Sequence, residues 1–369
     1  MKKLLFGAYS LDIGGIEKAL VILVNKLQEK GYDITLVLEK KQGIFLNEID
    51  PKIKIIEYAP SNSKNKIQRK IINLIKRIKF TLKYKNKYDF SASFATYSLP
   101  SSFVARTASK NCYLWGHADY LTLFDGNAEE MKEFFIERNY DKFKKIIFVS
   151  KEGKDSFIKV FPKMNEKTMV CNNLIDADKI LELSKEKIPE EDLSKINKLE
   201  NTQKETTIFI NVGRHQEKQK KLSRLIEAAT MLKKDNMNFK IIFIGDGPET
   251  EEYKKQVKNN QLENNIIFLG KKQNPYPYFK IADCVVLTSD YEGYPVVFLE
   301  SFILEKPIIT TKVSDYKEVE NKYGFVTEKD TKDIYEKMKN FILNGFEIKE
   351  KFDYKKYNEE ILKKIEDLF

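Results

Sequence analysis

The chain carries two hydrophobic rhythms. Short, nearly unbroken apolar runs recur at Lys3 to Ser10, Asp33 to Glu39, Lys52 to Glu57, Tyr88 to Phe94, Asn111 to Gly116 and Lys145 to Val149. A second set begins at Ile208 and continues at Lys240 to Gly245, Ile266 to Gly270, Cys284 to Leu287 and Pro307 to Thr310. Runs this short and this rich in Ile, Val and Phe read as strands buried on both faces of a parallel sheet. Between them lie longer segments with apolar residues at helical spacing. Examples are Ile16 to Lys30, ended by Gly31, Ser101 to Ser109, entered after Pro100, a segment from Glu249, and Phe352 to Phe369. Ser150 reads as a helix N-cap after the strand ending at Val149.

The clearest unit runs from Ala282 to Thr311. Cys284-Val285-Val286-Leu287 is a strand, Ser289 to Pro295 a loop, Val296 to Leu304 a helix and Pro307 to Thr310 a second strand, which together make one βαβ unit. Glu292 lies in the loop and Glu300 in the helix, with seven residues between them. In an open parallel sheet, ligands bind at the carboxyl ends of the strands. Ionised carboxylates there accept hydrogen bonds from sugar or ribose hydroxyls. Either Glu could equally be a solvated surface charge.

Composition narrows the class. With 369 residues, 42% of them hydrophobic, the chain is long enough for two cores. No apolar run approaches the length of a membrane-spanning helix. The N-terminal MKKLLFGAYSLDIGG reads as a strand rather than a signal peptide, because Asp12 and the glycine pair interrupt it. Cys112, Cys171 and Cys284 each sit in an apolar run without CxxC spacing, so neither a disulfide framework nor a zinc site is indicated, and a cytoplasmic location is expected. No other metal-ligand cluster is indicated.

The net charge of +10 is concentrated in one place. Lys64 to Lys87 holds ten basic residues and no acidic one, with Ile67, Ile71, Leu74, Ile75, Ile78 and Leu82 at helical spacing. This is a basic amphipathic helix. One expectation is that the apolar stripe packs on the N-terminal sheet while the lysines are solvated. Another adds attraction to an anionic membrane surface at the cytoplasmic face. Nucleic acid is not expected, since no helix-turn-helix, zinc finger or RNA-binding motif accompanies the charge.

The Glu292-Gly293-Tyr294-Pro295 loop, followed by Glu300-Ser301, resembles the donor-site signature of the retaining glycosyltransferases of family four. Ser301 stands where alanine is commoner. The resemblance implies the GT-B fold: α/β, with two Rossmann-like doubly wound domains facing a cleft. It implies an N-terminal acceptor-side domain over residues 1–184 and a donor domain over 207–350. A terminal helix over 351–369 would cross back to the first domain. The polar stretch Lys185 to Thr206 reads as the linker. Val170 to Asp176 resembles the family's last strand of the first domain, with an Asn three residues before an Asp.

Further residues fall into the same pattern. Gly213-Arg214 matches the family's Gly-Arg pair, and Lys220 is the best match to its loop lysine, with Lys218 and Lys221 as alternatives. Such cations would stabilise charge building on a departing nucleoside diphosphate. Glu300 would hold the ribose. Glu292 and the amides of Gly293 and Tyr294 would position the donor sugar, since Pro295 has no N–H. Gly245, in Gly245-Asp246-Gly247-Pro248, would border the nucleotide. The glycine pair Gly14-Gly15 precedes a helix N-terminus, which favours an anion, but the pattern is not GxGxxG. His117 follows a strand and would contact the donor sugar, and Asp119 is a weaker candidate for the acceptor hydroxyl.

The expected activity is therefore retaining, metal-independent transfer from a nucleotide-sugar, with UDP the default, to a glycan or lipid-linked acceptor. Bacterial surface polysaccharide, such as capsule or lipopolysaccharide, is the expected setting, in keeping with a Lys-, Ile- and Asn-rich composition. No cofactor is expected beyond the nucleotide-sugar substrate. A non-catalytic glycosyltransferase-like partner subunit and a nucleotide-sugar epimerase of GT-B build are the other readings.

Overall fold

The computed structural model describes residues 1–12, 14–197 and 206–369. The chain folds into two compact units, Met1–Ile175 with Lys355–Phe369, and Asp176–Tyr354.

The first unit is built on seven strands: β1 (Lys3–Ala8), β2 (Asp33–Leu38), β3 (Lys54–Glu57), β4 (Phe90–Ser93), β5 (Cys112–Gly116), β6 (Lys145–Phe148) and β7 (Thr168–Val170). Their order is β3-β2-β1-β4-β5-β6-β7 and every pairing is parallel. The second unit has β8 (Thr207–Val212), β9 (Phe239–Ile244), β10 (Ile266–Gly270), β11 (Cys284–Leu287), β12 (Ile308–Thr311) and β13 (Gly324–Thr327), in the order β10-β9-β8-β11-β12-β13, again all parallel. Each sheet therefore reverses its strand order once, at β1/β4 and at β8/β11. That reversal splays the flanking loops apart and opens a crevice at the carboxyl ends of the two strands.

The strands are continuous apolar runs because helices cover both faces. In the second unit Phe209, Ile241, Phe243, Val286 and Ile309 pack with Leu225, Ile226 and Ala229 of the helix Leu222–Lys234. In the first unit, helix α1 (Gly15–Glu29) buries Leu20, Leu23, Val24 and Leu27. The basic helix is α2 (Lys66–Tyr84), and α3 (Leu99–Ala108) follows it.

Three expectations need correction. The stretch 185–206 is not featureless, since Glu190–Asn197 is a helix. Asp192 on that helix is buried, bonded to Tyr278 and 2.5 Å from the Lys272 ammonium, so the helix is fastened to the second unit. Residues 198–205 of that stretch lie outside the described residues. The run Val170 to Asp176 is strand only to Val170, and the compact units divide after Ile175 rather than at 184. Beyond Val170, Asn172 and the Asn173 carbonyl turn to side-chain bonding with Val149 and Tyr357, which replaces the ladder. Most importantly, the apolar stripe of α2 does not pack on the sheet. Ile67, Ile71, Leu74, Ile75, Ile78 and Leu82 are all exposed, and the buried residue of this helix is Phe80.

The segment 355–369 packs with the first unit. Glu366 takes hydrogen bonds from Lys30 (2.7 Å) and Tyr32 (2.9 Å), Phe369 packs edge-on to Phe90, and the Lys2 ammonium reaches the Phe369 carbonyl.

Candidate functional site

The candidate residues of the second unit gather on the two loops that leave β8 and β11, the strands at the order reversal. After β8 the chain runs through Gly213 and Arg214 into a short helical turn, Glu217–Lys220, ended by Lys221 in the left-handed region at φ 49°. After β11 it runs through Thr288 to Pro295 into the helix Val296–Ile303. The loops are stitched together. The Thr288 hydroxyl donates to the carbonyl of Lys220 (2.9 Å), and the Asp290 amide donates to the carbonyl of Gln219 (2.8 Å).

At the centre of the stitching, Glu292 is only 7% exposed and its Oε1 lies 2.6 Å from Lys220 Nζ. The same oxygen accepts from Ser289 Oγ at 2.7 Å, and Oε2 accepts from Gln219 Nε2 at 3.3 Å. Ser314 Oγ donates to the Glu292 carbonyl (2.6 Å), and Thr311 Oγ1 to that of Ser289 (2.6 Å), so the loop backbone is held as well. A carboxylate sheltered this far survives only with its charge paired and hydrogen-bonded. The solvated-charge alternative therefore does not hold for Glu292, nor for Glu300, which is 8% exposed and accepts from Tyr276 OH at 3.0 Å.

The three lysines separate by geometry. Lys220 lies over Gly213, with its stem at ordinary contact distance from where a Cβ would be, and it meets Glu292. Lys221 forms the turn and lies near Glu217 (3.8 Å) and Asp290 (3.9 Å). Lys218 is exposed. Arg214 is exposed, and its guanidinium has no partner among the described residues. Tyr294 is buried, with its hydroxyl 3.4 Å from Glu318, and Gly293 precedes it in the loop.

Gly245 closes the floor. It sits at φ +140°, and a Cβ there would lie 1.8 Å from the Gly213 carbonyl oxygen, so no other residue fits. The Gly213 amide donates to the Ile244 carbonyl (3.0 Å), which locks the turn after β8 onto the end of β9.

In the first unit, the glycine pair opens α1. Gly14 is extended at φ −176°, a conformation any residue adopts, and a Cβ there would meet only the tip of the Glu17 side chain. Glu17 on the first turn accepts from Tyr97 OH at 2.8 Å. The positive end of this helix thus already has a carboxylate beside it, which disfavours a second anion. Ile13, within the same motif, lies outside the described residues. His117 follows β5 with its ring 4.5 Å from that of Phe94. Its Nε2 is enclosed without a partner. Burial holds its pKa down to about 3, against a backbone hydrogen bond with Phe94 that works the other way, so the ring is neutral. Asp119 caps the short helix Tyr120–Leu123: Oδ1 accepts from the Thr122 amide (3.2 Å) and Oδ2 from the Thr122 hydroxyl (2.8 Å). It is thus the cap of this helix.

Sequence reasoning missed Ser289, Ser314 and Gln219, which hold Glu292, because their partners lie up to seventy-three positions away. It also missed His215. This ring is fully buried beside Arg214, with Nδ1 2.9 Å from Thr250 Oγ1 and Nε2 unpartnered, and burial lowers its pKa against the pull of the Asp246 carboxylate. Adjacency to the Gly-Arg pair was the available signal. Among the described residues no group of His, Cys, Asp and Glu is arranged to hold a metal ion, and no helix is long and apolar enough to cross a membrane.

Two parallel Rossmann-like sheets with ligand-type loops at their reversal points define the GT-B fold. Residues 192–359 match the family described as glycosyl transferases group 1, a match that falls largely within the second unit. An uncharacterised glycosyltransferase of Methanocaldococcus jannaschii is 26% identical over 243 residues, covering 66% of this chain and 58% of the relative's length. A Campylobacter jejuni protein, N-acetylgalactosamine-N,N'-diacetylbacillosaminyl-diphospho-undecaprenol 4-alpha-N-acetylgalactosaminyltransferase, is 23% identical over 84% of this chain and 81% of its own. The fold is similar to the crystal structure of Anabaena HepE in complex with UDP and glucose, with a TM-score of 0.77, 18% identity and coverage of 99% of this chain and all of that one.

Proposed function

We propose that this protein is a retaining glycosyltransferase that moves a sugar from a UDP-sugar to a glycan or lipid-linked glycan acceptor in bacterial surface polysaccharide synthesis. The observation that carries this reading is the sheltered Lys220–Glu292 pair, set between the loops after β8 and β11 with Glu300 on the helix that follows. The UDP and glucose bound by Anabaena HepE and the diphospho-undecaprenol acceptor in the name of the Campylobacter relative support the choice of donor and acceptor class.

On this reading the bond between the anomeric carbon and the diphosphate oxygen breaks, and its electron pair stays on the diphosphate. The acceptor hydroxyl oxygen bonds to the same face of that carbon, and its proton passes to the departing diphosphate. Arg214, exposed and without a partner among the described residues, and Lys220, oriented by Glu292, balance the growing charge. Glu300 accepts hydrogen bonds from the ribose, with Tyr276 fixing its carboxylate. Glu292 serves by aiming Lys220 and by shaping the loop whose Gly293 and Tyr294 amides meet the donor sugar. The metal-free course rests on two protein cations taking the role a divalent ion would fill, and unchanged transfer in EDTA is its expected outcome.

Calorimetric titration of UDP, GDP and a panel of their sugars tests the reading. UDP and one UDP-sugar bind wild type, and Glu300→Ala weakens UDP by about tenfold, the loss of one charge-assisted hydrogen bond. If no nucleotide binds, the reading falls. If UDP binds equally well to Glu300→Ala, the ribose assignment alone falls.

A further inference from the structure

Six of the thirteen large hydrophobic residues exposed among the described residues lie on α2. They are Ile67, Ile71, Leu74, Ile75, Ile78 and Leu82, at 72, 53, 58, 46, 50 and 79% exposure. At 3.6 residues per turn they fall within an arc of about 100°, an unbroken apolar stripe along about 23 Å of helix. The stripe is not a packing face waiting for the core, because the opposite side already packs. Phe80 is buried, with its ring 5.1 Å from Tyr58, 4.8 Å from Tyr84 and 6.0 Å from Phe103. Lys76 donates to the Ala59 carbonyl, Asn73 accepts from the Ser61 amide, and the Arg77 guanidinium stacks over Phe103. The helix is clamped along one side, with its apolar stripe turned outward.

Charge selects the occupant. The segment Lys64 to Lys87 carries ten basic residues and no acidic one, and by helical position Lys70 and Lys79 flank the stripe on its two sides. A second copy packed stripe to stripe would bring two such cationic rims together. A surface that is apolar inside and anionic at its rim matches both features at once. We propose that α2 docks on an anionic lipid surface, lying parallel to it. The stripe enters the boundary between headgroups and acyl chains, and the lysine stems run along it so that their ammonium groups reach the lipid phosphates. This inference does not depend on the donor or the reaction, because docking needs neither.

Flotation of the whole protein with phosphatidylcholine vesicles, with and without one part in three phosphatidylglycerol, tests it in the absence of any nucleotide-sugar. Wild type floats with the anionic vesicles and is released by 0.5 M salt. Replacing Lys70, Lys79 and Lys83 by Gln weakens partitioning about 100-fold, following the contribution of each basic residue near a charged surface. Ile71→Asn with Ile75→Asn and Ile78→Asn abolishes flotation while leaving the thermal melt unchanged, because these side chains touch solvent rather than core. A single Ile75→Trp variant gives a blue shift in emission with anionic vesicles only. Equal binding to neutral vesicles overturns the proposal, as does flotation that survives the asparagine substitutions. A wild-type dimer in sedimentation equilibrium that those substitutions dissolve, with no vesicle binding, overturns it in favour of self-association.

Discussion

Glu292 shows what one residue of the signature contributes beyond its presence in a motif. Its carboxylate has an ammonium, a hydroxyl and an amide around it, so removing either member of the Lys220–Glu292 pair leaves a sheltered charge without its partner. Glu292→Gln is expected to cost about 1–3 kcal/mol in urea unfolding, and Lys220→Met a similar amount. The double variant should cost less than the sum, a coupling of about 1 kcal/mol or more that a double-mutant cycle reads directly. Additive effects would mean that the pair is geometrically close but energetically idle. The signature glutamates and the Gly-Arg pair were legible because each sits at a fixed offset from a strand end. The hydroxyls of Ser289 and Ser314 were not: they lie three and twenty-two positions from Glu292, and a serine in a loop carries no mark of which group it holds.

At the scale of elements, periodicity marked the strands and helices to within a few residues, because burial on both sheet faces leaves uninterrupted apolar runs. It misjudged α2 for a physical reason. A helical repeat of Ile and Leu says that one face is apolar, but not whether protein or another medium covers it. The packed side is instead a small aromatic group around Phe80, which counts for little in a periodic pattern. Phe80→Ala is expected to lower stability by about 3–5 kcal/mol, whereas Ile75→Ala should change it by under about 0.5 kcal/mol. Chemical denaturation of the two variants checks this, and the reverse ranking would mean that the stripe faces inward. The helix Glu190–Asn197 was missed because its hold on the second unit comes from two residues, Asp192 and Ile196, against a background of surface charge. Asp119 has a structural use the strand pattern did not suggest, as the cap of the helix that follows it.

His215 is buried and His117 is half-buried with its Nε2 enclosed, and both rings are held neutral, so the whole molecule should respond to acid through them. For His117 the folded-state pKa is about 3 against an ordinary value of 6.5, which means that the unfolded chain binds the proton first as pH falls. Stability is therefore complete above about pH 6.5 and declines as pH drops toward 3, by up to about 1.4 kcal/mol per pH unit for each such histidine. His215 adds to the slope in the same direction. Stability measured between pH 7 and pH 4.5 should fall more steeply in wild type than in His117→Phe, and equal slopes would show that His117 accepts its proton without leaving the fold. At this scale the two-sheet architecture was readable from the alternation of strands and helices. The assignment of the last segment to the first unit was implied only by the family resemblance and not by any periodicity, because it rests on Glu366, Leu368 and Phe369 meeting residues at the other end of the chain.

That assignment bears on how the protein is made. The first unit is discontinuous in the chain: its sheet is complete by Val170, yet Lys355–Phe369 belong to it as well. During synthesis the sheet emerges early, and the residues that cover Phe90 and bond to Tyr32 and Asn111 arrive only after the entire second unit has been translated. A nascent chain halted anywhere in the second unit therefore carries an unfinished first one, with apolar surface open to other chains for the whole interval. Placing the last piece of the first unit behind the second makes final consolidation of the first unit a late, post-assembly event, and gives chaperones a defined window in which to act.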